Sequence, residues 1–311
     1  MARMITVGGF NTSLDKSMET DDLRVGGVVR VRNVRAWPGG KGAHVALTAA
    51  ALGEPVRLVG LIDSVHRALF EDFLGERGVE FHGVPTRGSV RTCLAVRDGK
   101  GRITEMLEPG PEVDAETRGE ILASFRALAG AAQLSVLCGS LPPGMGAGDY
   151  ATLVGEEGSA GRRCGVDTSG EPLRRALDAR PFLLKPNRDE AAELLGAAVK
   201  SIGEAARAAR ALEARGVALS IVSMGADGAV ACWEGRTFLA TVSVEAVNPV
   251  GSGDCLLGGM AVGLARGASA EEALRLGVAC GAANAVTPET GFVRREDVEA
   301  LLPRVTTAEV E

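Results

Sequence analysis

From residue 117 to residue 286 the chain repeats one unit: a short apolar run, a loop rich in Gly, Pro or Asp, and a segment with helical spacing. The apolar runs at 134–138, 163–166, 182–185 and 219–223 read as buried strands. Helices are expected at 117–129, 150–157, 172–179, 190–195, 202–215 and 270–286, with two further strands at 229–232 and 237–242. Such alternation buries its apolar faces in one economical way. It predicts an α/β fold, a doubly wound, mostly parallel sheet with helices on both faces. Ligands of such sheets bind beyond the carboxyl ends of the strands. The first third of the chain is less regular. Strands are expected at 4–9 and 56–61 and helices at 45–52 and 66–77. A half-exposed strand or hairpin is expected at 25–34, and two strands of mixed polarity at 89–96 and 102–107, joined by a turn at Asp98-Gly99-Lys100-Gly101. The segments near 12–36 and 88–108 are therefore expected to form a small β-sheet lid on a single domain spanning 1–311.

Composition excludes several functions. The chain has 311 residues, 46% hydrophobic and 24% charged, with a net charge of −6, which argues against a general nucleic-acid binder. No apolar run approaches the length of a membrane span. The start, Met1-Ala2-Arg3-Met4-Ile5, lacks the pattern of a secretory leader, so a cytoplasmic location is expected. Six scattered cysteines and three histidines make no metal-binding spacing. The cysteines read as buried thiols in a reducing compartment. Lysine is scarce, so a lysine inside a glycine-rich loop stands out, and Lys41 is one.

Two loops carry the chemistry. In Asn248-Pro249-Val250-Gly251-Ser252-Gly253-Asp254 the Asn-Pro step forces an extended or turn conformation, and the glycines allow close approach of a ligand. A helix is expected to run on from Asp254 to about residue 266, and its N-terminus offers free N–H groups to an anion. Asp254 either caps that helix or takes a proton from an attacking hydroxyl. The other loop is Pro38-Gly39-Gly40-Lys41-Gly42-Ala43-His44, followed by the helix at 45–52. His44 reads as a hydrogen-bonded pocket residue. Asn187 with Glu190 three residues later reads as a helix-capping pair, which competes with a metal role for the same residues.

These motifs, in this order and over nearly the whole chain, resemble the ribokinase-like (PfkB) sugar kinases. Gly39-Gly40-Lys41-Gly42 is similar to that family's first signature and the Asn248–Asp254 segment to its second. Gly139-Ser140-Leu141-Pro142-Pro143-Gly144, Asp167-Thr168-Ser169-Gly170 and Lys185-Pro186-Asn187 resemble its 1-phosphofructokinase and tagatose-6-phosphate kinase branch. Val90-Arg91-Thr92-Cys93, Thr104-Glu105 and Pro109-Gly110-Pro111 fit that branch too.

The resemblance implies an ATP- and Mg²⁺-dependent kinase of a ketohexose monophosphate. It implies Asp254 as base and the amides around Gly251, Ser252 and Gly253 as the anion hole. It places Asp15, Gly39, Gly40, Lys41, His44, Arg91 and Ser140 near the sugar and its phosphate. Lys185, Asn187, Ser223, Gly225 and Gly228 would face the nucleotide phosphates, Asn284 the adenine, and Asn187 with Glu190 would help place Mg²⁺, indirectly. A homodimer through the lid is also implied. The family usually has Asn where this chain has His44, which leaves open a kinase of an unphosphorylated sugar or nucleoside. A dinucleotide-dependent oxidoreductase is disfavoured, because no G-x-G-x-x-G follows the first strand. A non-catalytic sensor would be expected to lose the base or the glycines, and both are present.

Overall fold

The computed structural model describes residues 4–311. The reading of Met1, Ala2 and Arg3 lies outside that range. In chain order the elements are β1 (Ile5–Gly8), β2 (Ser13–Glu19), β3 (Arg32–Gly39), α1 (Lys41–Ala51), β4 (Val56–Ile62), α2 (Arg67–Gly75), β5 (Val79–Pro85), β6 (Arg91–Arg97) and β7 (Ile103–Leu107). Then follow α3 (Ala115–Ala129), β8 (Leu134–Cys138), α4 (Asp149–Ser159), β9 (Cys164–Asp167), α5 (Gly170–Asp178), β10 (Leu183–Leu184), α6 (Arg188–Leu195) and α7 (Ile202–Ala214). The last are β11 (Leu219–Ser223), β12 (Ala229–Trp233), β13 (Arg236–Thr241), α8 (Ser252–Ala265), α9 (Ala270–Ala285), α10 (Arg295–Leu301) and β14 (Thr306–Glu309).

Ten strands form one sheet in the order β14-β13-β12-β11-β10-β9-β8-β1-β4-β5. From β11 to β5 every pairing is parallel, while β12, β13 and β14 extend that edge as antiparallel strands. Parallel strands are covered on both faces, and that is why their sequences are apolar runs and not alternations. On one face α1, α8 and α9 close a core through Val45, Leu257, Met260 and Leu274; on the other α3, α4 and α5 close a second through Phe125, Tyr150 and Leu177. Among the described residues no helix is long and apolar enough to cross a membrane.

The second sheet has the order β3-β2-β6-β7 and is built from the two inserted segments. β2 pairs with β3 antiparallel and with β6 parallel, and β6 with β7 antiparallel. The β6–β7 turn is held by Asp98, whose carboxylate accepts from the backbone N–H of Lys100 and Arg102, both at 2.9 Å.

The structure corrects the reading of 25–34 as a strand or hairpin. Gly26 has φ +80° and Gly27 follows it, Val25 and Val28 are fully exposed, and pairing begins only at Arg32. β2, within the segment expected near 12–36 as part of the lid, is polar in sequence at Ser13-Leu14-Asp15-Lys16-Ser17. It is a strand because it is paired on both edges. β5, α10 and β14 also have no counterpart in the sequence reading.

Candidate active site

The carboxyl ends of the parallel strands carry the site. β9 ends at Asp167 and β10 runs directly into Lys185. Lys185 Nζ lies 2.8 Å from Asp167 Oδ2, and Lys41 Nζ lies 3.1 Å from Oδ1 of the same carboxylate. Burial alone would raise the Asp167 carboxyl, but the two ammonium groups outweigh it and hold it below the usual range. Asp167 in turn raises Lys41, against the effect of burial, with help from Asp254 and Glu190.

α1 begins where β3 ends. Gly40 is its N-cap at φ +92°, and a Cβ at Gly39 would overlap the carboxylate of Asp15. The glycine pair thus lets β2 and the helix start close on each other. One turn into α1, His44 is buried between two acids: its Nδ1 lies 2.8 Å from Asp254 Oδ2 and its Nε2 lies 2.9 Å from Asp15 Oδ2.

The Asn248–Gly251 loop is fixed by side chains. Asn248 accepts from Val250 N–H at 3.1 Å and donates to Thr290 Oγ1 at 3.1 Å. Gly251, at φ +83°, is the N-cap of α8, and a Cβ there would lie 2.5 Å from the backbone nitrogen of Gly291. Asp254 does not cap the helix. It lies within the first turn, with its side chain on His44. The capping reading applies instead to Asn187 and Glu190. Asn187 Oδ1 accepts from the backbone of Asp189 and Glu190, and Glu190 Oε2 accepts from Asn187 N–H at 2.8 Å.

Two cavities of 580 Å³ and 500 Å³ meet at this point, and Lys41, Glu190, Pro249, Gly253 and Asp254 line both. The larger is lined by Lys185, Asn187, Ser223, Gly225, Gly228 and Ser252, with an apolar wall from Val242, Val244, Val278 and Ala282. The smaller lies under the lid and is lined by Asp15, Gly40, His44, Arg91, Ser140 and Gly251, with Glu105 and Leu107 from β7. Arg91 is anchored through hydrogen bonds to the carbonyls of Asn11 and Glu108, each at 3.3 Å.

Two expected site residues line neither cavity. Gly39 is packed on Asp15. Asn284, expected near an adenine, is fully buried beneath the loop. It donates to Val250 O and Ser252 Oγ, both at 2.9 Å, and accepts from Phe292 N–H. Asp167 was read only as part of a motif, yet it is the anion that organises both lysines; its place after a strand and before a helix was the available signal. The apolar wall left no signal, because ordinary core residues compose it.

Comparison with known proteins agrees with this geometry. The family model "pfkB family carbohydrate kinase" matches residues 1–296. The chain belongs to the PfkB family of carbohydrate kinases. It is 31% identical over 303 residues, covering 97% of this chain and 98% of the relative, to 1-phosphofructokinase of Bacillus subtilis (strain 168). The crystal structure of phosphofructokinase-2 from Escherichia coli in complex with fructose-6-phosphate superposes with a TM-score of 0.88, at 26% identity, over 97% of this chain and 99% of that one. Ribokinase of Arabidopsis thaliana, complexed with ribose and ATP, shares the fold, with a TM-score of 0.78 at 22% identity over 97% and 99%. The PfkB member described here is thus an enzyme, an ATP-dependent carbohydrate kinase, with a ribokinase-like main sheet and a separate small lid sheet.

Proposed function

We propose that the chain transfers the γ-phosphoryl group of ATP to a hydroxyl of a ketohexose monophosphate: fructose 1-phosphate, tagatose 6-phosphate or fructose 6-phosphate. The observation that carries this reading is the shared floor of the two cavities, where Asp254 and Gly253 face both. A donor in one cavity and an acceptor in the other would meet there, with a carboxylate to take the hydroxyl proton and the α8 N-terminus to bind the transferring group. The larger cavity suits a nucleotide, with Lys185 and the Ser223–Gly228 loop for phosphates and the apolar wall for the base.

The smaller cavity suits an acceptor that already carries phosphate. Lys41 and Arg91 bring two cations from separate segments and Ser140 adds a hydroxyl. Lys41 already meets Asp167, but Arg91 is held only by backbone carbonyls, and an unphosphorylated sugar would leave it without an anion. The names of the relatives point the same way: one is a 1-phosphofructokinase and another was solved with fructose-6-phosphate.

Among the described residues no three His, Cys, Asp or Glu side chains converge to hold a metal ion. Mg²⁺ does not require such a cluster, since it keeps several waters and takes one or two carboxylates alongside substrate phosphates. Glu190, facing both cavities with Oε2 engaged in the cap, fits that role through water, with Asn187 fixing its helix. Bound there, Mg²⁺ would neutralise phosphate charge. The subunits would pair through the lid, where Val34, Met106 and Leu107 are exposed.

The test is a panel of purified protein with Mg-ATP against the three ketohexose phosphates and against free fructose, ribose and a nucleoside. The reading expects one of the phosphates to give the highest kcat/KM. Preference for an unphosphorylated acceptor over all three would overturn it.

A further inference from the structure

His44 connects the two acids of the acceptor cavity. Asp15 lies on β2 and Asp254 on α8, and nothing in the chain path links them; the imidazole of α1 bridges them with contacts of 2.9 and 2.8 Å. Both ring nitrogens face carboxylate oxygens, so both must donate, which only the imidazolium can do. Burial would push this group down, but the hydrogen bonds and charges of Asp15 and Asp254 outweigh it and hold it up at about 10. The other ionisable groups lining this cavity are Lys41 on the same helix, Lys16 on β2, Arg91 and Cys93 on β6, Glu105 on β7 and Glu190 on α6. Glu105 is itself raised by burial and by the charges of Asp15 and Asp254. Asp15 is further fixed by Ser13 Oγ at 2.6 Å on Oδ1 and by Gly40 N–H at 3.3 Å on Oδ2. The ring cannot swing away toward the C-terminal loop, because Gly291 packs so closely that a Cβ there would overlap it.

We propose that His44 is a positioning residue: it holds Oδ2 of Asp254 so that Oδ1 is aimed at the acceptor hydroxyl, and it ties that aim to Asp15, the carboxylate that grips the acceptor. This rests on the reading of Asp254 as base and Asp15 as acceptor ligand. The bridge makes acceptor binding and base orientation one event, since a shift of Asp15 is passed through a rigid ring to Asp254. An asparagine in place of His44 can put one amide nitrogen near the site of Nδ1. It is too short to reach the site of Nε2 as well, so it can serve Asp254 and not Asp15.

The experiment compares His44→Ala and His44→Asn in the full chain, with the preferred acceptor and Mg-ATP. His44→Ala is expected to lower kcat and raise the acceptor KM, each by about tenfold or more, while the KM for ATP stays within about twofold. His44→Asn is expected to recover most of kcat and leave the acceptor KM raised, a split that loss of packing alone would not produce. In the wild type, ¹⁵N spectra of the imidazoles should show both His44 nitrogens protonated at pH 8; the chain's three histidines make assignment by replacement simple. The alkaline fall in kcat as pH rises toward 10 should be weaker in His44→Asn. A His44 ring with one proton at pH 8, or His44→Ala with both constants near wild type, would overturn the bridge. The ring spectrum decides the matter even where His44→Ala fails to fold. Near-normal turnover in Asp254→Asn would instead remove the reading beneath it, with the ring spectrum unchanged.

Discussion

Lys185 Nζ lies 2.8 Å from Asp167 Oδ2, and both side chains are almost wholly shielded from solvent. A buried pair of this kind is costly to break, because removing one partner leaves the other charge without compensation. Here the loss would reach Lys41 as well, since Asp167 Oδ1 is its partner. Asp167→Asn is therefore expected to destabilise the protein by about 3 kcal/mol at neutral pH, read by urea unfolding. The sign of the pH dependence follows from the lowered carboxyl. The stabilisation is fully present above the ordinary Asp range and is lost as pH falls through the folded-state value. The gap between wild type and variant should narrow in acid. A constant gap from pH 7 down to pH 3 would show that the ion pair is not its source.

Asp254→Asn should keep the fold and nucleotide binding and lower kcat by at least about a hundredfold, the scale of general-base loss. Its amide can still meet one neighbour of the ring, so a modest change in melting temperature is expected. Turnover close to wild type would move the base elsewhere.

Arg91 and Lys41 should separate in kinetics, because Arg91 lines only the smaller cavity and Lys41 lines both. Arg91→Ala is expected to lower kcat/KM for a phosphorylated acceptor roughly thirtyfold, about 2 kcal/mol, with the KM for ATP unchanged. Lys41→Ala should cost a similar factor for the acceptor and raise the KM for ATP too. Equal effects of the two variants on ATP would contradict the placement.

Asn284→Ala tests the buried anchor under the loop. Loss of its contacts to Val250 O and Ser252 Oγ leaves polar groups unpaired, at about 1–3 kcal/mol. The expected result is lower stability and lower kcat, with the preference between ATP and GTP unaltered. A changed nucleotide preference would restore a direct role at the base.

The lid leaves Val34, Met106 and Leu107 exposed. A dimer is expected by light scattering at micromolar concentration with substrates present, and Leu107→Glu should shift it toward monomer. Monomeric wild type under those conditions would remove the lid interface.

Much of the main sheet was legible because burial on both faces leaves an unmistakable apolar run, as at Leu134–Cys138 and Leu219–Ser223. The site loops were legible because Gly39, Gly40 and Gly251 are needed for close approach or a positive φ. The lid was legible only in outline. β2 and β3 are open on much of their surface, so their polarity says little, and their pairing depends on partners far along the chain. The site was legible residue by residue but not as contacts. The family resemblance implies a place for His44 beside a sugar; nothing in the sequence says that one ring joins Asp15 to Asp254. Asn284 shows the converse, a residue that supports the loop from below where the resemblance implies contact with the adenine.

Because Lys41, Glu190, Pro249, Gly253 and Asp254 belong to both cavities, no wall divides the two. A single molecule joining a nucleoside polyphosphate to a sugar phosphate through one bridging group could occupy both at once. Its second half would bind at the high effective concentration set by a short tether, and its immobilisation would be charged once instead of twice. Such a compound should hold this enzyme far more tightly than either half alone, and a linker one or two atoms too long should forfeit most of that gain.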